Sequence, residues 1–175
     1  MITARQVKKR NELAVLKAAI HAHNQRVCRS YEIIERPDPP DAIIEDEMGT
    51  TWIEHTNAFF SREWAQDLQT FPGPEEKRVA MPSGPYGGMD HQLALAVRAA
   101  IVAKAGNPKY QPVIEKDGPG ILVVGLESPW LDTHSFEEIY RLFETRPVDG
   151  IGTVFSSIYL GSRIDGVNVA TWFRC

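Results

Sequence analysis

The chain has 175 residues, of which 43% are hydrophobic and 24% charged, and it carries a net charge of −4. That length and balance fit a single soluble globular domain over residues 1–175 and exclude a disordered or low-complexity chain. The acidic sum also excludes whole-chain electrostatics as the basis of nucleic-acid binding, which would instead need a local basic patch such as Arg5, Lys8, Lys9 and Arg10.

Cys28 and Cys175 stand far apart, outside any zinc-ligand spacing, and read as two free thiols in a reducing cytosol. The basic opening is followed by the mixed run Glu12 to Gln25 and not by the apolar core of a signal peptide. No apolar run approaches the roughly 18 residues that a membrane span needs. The expectation is a cytoplasmic protein with no membrane partner.

In chain order, the first element is a helix over about Thr3 to Arg26, since Leu13, Leu16, Ile20 and Val27 recur at helical spacing without Pro or Gly between them. Glu12 falls on the flank of that stripe, where it either reaches the interior edge or pairs with Lys8 or Lys9. His21 and His23 do not share a helix face, so they make no metal motif. Tyr31 to Glu35 alternates as a first strand, and Pro37, Pro39 and Pro40 stop it.

The stretch Arg36 to Thr56 reads as a β-hairpin that carries carboxylates. Ala42-Ile43-Ile44 and Thr51-Trp52-Ile53 are apolar runs joined across Gly49. Side chains alternate along a strand, so Asp41, Ile43 and Glu45 share one side, as do Trp52, Glu54 and Thr56. Asp41 and Glu54 then converge if the strand register allows it, and a divalent cation is the usual relief for converging carboxylates.

Residues 71–88 are rich in proline and glycine and read as a long surface loop. Its end, SGPYGG, lacks the Gly-Lys-Ser/Thr of a P-loop and reads as a hinge. Asp90 caps a helix that runs to about Ala105, with Leu93, Ala96, Val97 and Ala100 on its apolar face. Lys104 falls on that same face, where it either snorkels to water in the last turn or reaches inward. Gly120 to Leu126 is a continuous buried strand. Ser135 to Phe143 is a short helix with a Ser135/Glu138 capping box. Ile151 to Leu160 and Val167 to Phe173 read as a terminal hairpin. The four tryptophans, Trp52, Trp64, Trp130 and Trp172, read as core or interface residues. The fold class is α/β, a mixed central sheet flanked by helices.

A helix with Glu12, a three-strand meander bearing Pro37-Asp38 or Asp41 and then Glu54-His55-Thr56, a helix, and a buried fourth strand resemble the core of the PD-(D/E)xK, or restriction-endonuclease-like, superfamily. The resemblance covers roughly residues 5 to 126. It implies a Mg²⁺-dependent nuclease that also accepts Mn²⁺ and takes nucleic acid as its partner, with Asp41 and Glu54 as metal ligands and Glu12 as an accessory acid. Asp38 is the alternative to Asp41. Thr56 stands where the motif has its lysine, and a hydroxyl supplies no positive charge. The resemblance implies Lys104 as the substitute, because members of this superfamily sometimes carry the lysine on the following helix.

His55 is expected on the opposite side of its strand from Glu54. Two other functions compete with the nuclease. One is a non-catalytic subunit of the same fold that binds nucleic acid or a protein, a second copy of the chain among the candidates. The other is a small-molecule enzyme, for which the sequence offers no nucleophile elbow and no dinucleotide fingerprint.

Overall fold

The computed structural model describes residues 4–70, 87–164 and 167–174. At its centre is one six-stranded sheet whose spatial order follows the chain: β1 (Glu32–Glu35), β2 (Ala42–Asp46), β3 (Gly49–Phe59), β4 (Gly120–Glu127), β5 (Phe155–Ile164) and β6 (Val167–Arg174). The first three strands meander antiparallel, β3, β4 and β5 run parallel, and β6 returns antiparallel to β5. Helix α1 (Ala4–Val27) covers one face, packing Leu16, Ala19 and Ile20 on Ala42, Ile44, Ile53 and Val123. Helices α3 (Met89–Ala105) and α5 (Thr133–Thr145) cover the other through Leu93, Val97, Ile101, Ile139 and Phe143. Covered on both sides, β4 is buried almost end to end, as its unbroken apolar run requires. The fold is thus an α/β arrangement with a mixed sheet flanked by helices.

Several elements differ from the expectation. Between β3 and β4 the chain forms not one helix but α2 (Arg62–Thr70), α3, a 3₁₀ turn (Pro108–Tyr110) and α4 (Gln111–Asp117). Pro112 lies in the first turn of α4, where a missing N–H costs nothing, so this proline opens the helix. Helix α3 is capped by Gly88 in the left-handed conformation and not by Asp90, which sits in the first turn and accepts the Ser135 hydroxyl at 2.6 Å. The capping box of α5 is Asp132 with Ser135, while Glu138 is bound to His91 and Arg141. Ile151–Val154 is a helical turn (α6) opened by Gly150 at φ 70°, so the fifth strand starts only at Phe155. On α3 the buried stripe is Leu93, Ala94, Val97 and Ile101. Trp52 is buried, but Trp130 and Trp172 are 51% and 40% exposed, with Arg26 stacked over Trp172.

Most of the expected loop, residues 71–86, lies outside the described residues, as do the terminal turn at 165–166 and Cys175. Nothing is described of the side chains of Arg5, Lys8 and Lys9. Cys28 is a free, exposed thiol.

Close packing around Trp52 makes one stability difference predictable. Its indole is fully buried, donates from Nε1 to the Gly118 carbonyl at 2.8 Å and stacks on Tyr110 at 5.2 Å. A Cβ at Gly120 would fall 2.3 Å from that ring, whereas one at Gly125 would meet the side-chain oxygen of the exposed Asn57. Overpacking a fixed neighbour costs about 1–3 kcal/mol or more. Gly120→Ala should therefore lower the unfolding free energy in urea by at least that amount, and Gly125→Ala by distinctly less.

On α1 the expected apolar position Val27 is 36% exposed, and the buried position is His23, whose Nδ1 lies 2.9 Å from the Tyr159 hydroxyl. Burial holds the His23 pKa below 6.5, and Arg26 and Arg29 lower it further. The unfolded chain therefore takes up this proton first. The stability that neutral His23 contributes is complete above about pH 6.5 and is lost as pH falls through the lower native value. Urea melts between pH 7.5 and 5 should show this decline, and His23→Gln should flatten it.

Candidate functional site

The hairpin register decides which acids meet. Ala42 pairs with Ile53 and Ile43 with Trp52, so the next step of the antiparallel register sets Asp41 opposite Glu54. Ile43 and Trp52 belong to the core under α3, and alternation therefore puts Asp41 and Glu54 on that face as well. The Asp41 N–H donates to Glu54 Oε2 at 3.1 Å, and the His55 N–H donates to Asp41 Oδ2 at 2.8 Å. Each carboxylate thus takes an N–H from the opposite strand at the point where Pro39 and Pro40 can donate none.

Lys104, in the last turn of α3, turns inward and does not snorkel to water. Its Nζ lies 2.5 Å from Glu54 Oε1, with the Glu54 side chain 7% and the Lys104 side chain 25% exposed. A nearly buried carboxylate is thereby held by one full positive charge and one backbone N–H. Burial pushes the Asp41 pKa above the usual carboxylate value, the His55 N–H and Lys104 pull it down, and Glu12 and Asp38 push it up again. Glu12 on α1 and Asp38 before β2 therefore lie within electrostatic reach of Asp41, although α1 packs on the other face of the sheet.

Thr56 follows Glu54 by two residues on the same face and lines an open groove of about 620 Å³. Ala96, Ala100 and Ala103 of α3 and Arg62 of α2 form its other walls. Alternation turns the His55 imidazole to the α1 face, where its Nε2 approaches Gly125.

Sequence reasoning passed over Tyr110. It belongs to no motif, and the available signal was only its position just beyond Gly106-Asn107-Pro108, after Lys104. In the structure it is 1% exposed, between Trp52 and Phe155. Burial first, and the negative charge of Glu54 next, push its pKa far above the ordinary 10.0. Its hydroxyl thus lies beside the Glu54 carboxylate and the Asn107 side chain, without the alignment of a regular hydrogen bond to either.

Among the described residues, no group of three or more His, Cys, Asp or Glu side chains is arranged to hold a metal ion. Asp41 and Glu54 present carboxylate oxygens of the kind a small hard cation takes, and in the structure Lys104 and two backbone N–H groups hold them. No protein-family model, curated protein or solved structure matches the chain. Among the described residues, no helix is long and apolar enough to cross a membrane.

Proposed function

We propose that this protein is a divalent-metal-dependent phosphodiesterase acting on nucleic acid, a divergent relative of the PD-(D/E)xK nucleases. The observation that carries the reading is the Asp41, Glu54 and Lys104 cluster: two carboxylates opposite each other on one sheet face, with an ammonium from the next long helix laid against them. The order of helix, antiparallel meander, helix and parallel fourth strand supports the same reading. Asp41 and Glu54 would hold Mg²⁺ or Mn²⁺, with Glu12 near enough to add charge. The cation would neutralise charge on the scissile phosphate and make a coordinated water more acidic. Lys104, freed from Glu54, would orient the attacking water or the phosphate oxygen. The attacking water would give up one proton to solvent as its oxygen bonds to phosphorus and the ester P–O bond breaks. The departing oxygen would take up a proton from solvent, so that one water is consumed for each bond cleaved.

Incubation of the pure protein with DNA and with RNA in Mg²⁺ or Mn²⁺, beside Glu54→Ala and Asp41→Ala, tests the proposal. Metal-dependent cleavage lost in both variants is the expected result; cleavage that survives both would sink the assignment.

One observation favours a second reading. The cluster is already satisfied without a metal, since Lys104 neutralises Glu54 and the His55 N–H holds Asp41. A non-catalytic subunit that binds nucleic acid or protein would need nothing more. Calorimetric titration with Mn²⁺ separates the two, because that reading requires no binding at Asp41 and Glu54.

A further inference from the structure

One buried group beside the site is poorly satisfied in the metal-free protein, the Tyr110 hydroxyl. The phenol is 1% exposed and held rigidly, with its ring stacked on Trp52 at 5.2 Å and edge-on to Phe155 at 6.0 Å. Trp52 precedes Glu54 by two residues on the same strand face, so the ring is anchored beside the carboxylate. Asn107, which leads into the 3₁₀ turn bearing Tyr110, accepts the Lys109 N–H through its side chain and so fixes that turn just beyond Lys104. Yet the hydroxyl, although it neighbours Glu54 and Asn107, is aligned with neither for a regular hydrogen bond. Native interiors rarely tolerate that, because a poorly paired buried hydroxyl forfeits its bonds to water. Phenylalanine would fill the same space without the penalty. A hydroxyl kept here is explained if another state of the site uses it.

We propose that Tyr110 is a positioning residue whose hydroxyl donates to Glu54 when that carboxylate turns from Lys104 to a divalent cation. The inference rests on the metal-dependent reading of the site. Glu54 presents Oε1 to Lys104 and Oε2 to the Asp41 N–H. If a cation takes the place of the ammonium, the carboxylate loses one donor, and the phenol is a neighbouring group with a proton to give. Because Trp52 and Phe155 hold the ring, the hydroxyl is already in position and little order has to be created on binding. Such outer hydrogen bonds to a ligating carboxylate are worth about 10–100-fold in metal affinity.

The test is Tyr110→Phe, read in two ways on the full chain. Without metal, urea unfolding should show the variant at least as stable as the wild type, because a buried hydroxyl with no well-aligned partner is removed. In calorimetric titration, Mn²⁺ should bind the variant about tenfold more weakly. A purely structural tyrosine would give the reverse pattern, a loss of metal-free stability with an unchanged Mn²⁺ affinity, and that overturns the inference. Equal Mn²⁺ affinity in the two proteins overturns it while leaving the metal-dependent reading intact. A wild-type protein that takes up no Mn²⁺ overturns both.

Discussion

Lys104→Met is expected to destabilise the metal-free protein by about 2–3 kcal/mol and to make its stability strongly dependent on Mn²⁺. The Glu54 side chain is 7% exposed, and its Oε1 has the Lys104 ammonium 2.5 Å away. Breaking a fully buried ion pair by removing one partner costs about 3–5 kcal/mol. The expected loss is smaller because Lys104 is a quarter exposed, so water screens part of the interaction. Methionine keeps most of the aliphatic length, so little of the loss comes from packing. With its competitor gone, Glu54 should take Mn²⁺ more tightly, by about tenfold or more for the loss of about 1.4 kcal/mol of competition. At a free concentration of about 100 times the dissociation constant, binding returns about 2.7 kcal/mol to the folded state. Urea unfolding with and without Mn²⁺ measures both effects. A destabilised variant that Mn²⁺ does not rescue would show Lys104 and Glu54 to be a structural ion pair and would favour the non-catalytic reading.

What the sequence made legible about this site was its strand geometry. Period-two alternation, together with the pattern of the family the chain resembles, chose Asp41 and Glu54 from the acids of the hairpin, and the β2/β3 register sets those two opposite each other. The same rule separated His55 from Glu54. Register itself could not be read, because hairpin pairing is decided by the turn and by burial on both faces, and both strands here are apolar in their central runs. The two helix caps that went astray, those of α3 and α5, share one cause. Asp90 and Ser135 are residues that favour caps, but each is bound to the other across α3 and α5, and the caps fall instead to Gly88 and Asp132. Local propensity cannot anticipate a tertiary hydrogen bond between residues 45 apart in the chain. Tyr110 was hidden for a similar reason, since its meaning depends on Trp52 and Glu54, which are distant in sequence.

Combining Lys104→Met with Thr56→Lys should restore part of the cleavage that Lys104→Met alone has lost. If Lys104 supplies the cation of the reaction, its removal is expected to lower kcat by about 10²–10³-fold, the effect of losing one preorganised electrostatic contact to the transition state. Thr56 lies two residues beyond Glu54 on the same strand face, so a lysine there would project beside the same carboxylate. Space for the longer side chain exists, because Thr56 lines the groove walled by Ala96, Ala100 and Ala103. The new ammonium would come from the strand and not from the helix. Recovery of about tenfold is expected for such imperfect placement, given that a shift of about 1 Å costs about 10²-fold. Thr56→Lys alone should instead bring a second cation to Glu54 and weaken Mn²⁺ binding, since two ammonium groups would then compete with the metal. Kinetics of the two single variants and the double variant, with Mn²⁺ titrations of each, separate these effects. A double variant no faster than Lys104→Met, with Mn²⁺ bound, would mean that a cation at this face does not drive the reaction and that Lys104 serves Glu54 alone.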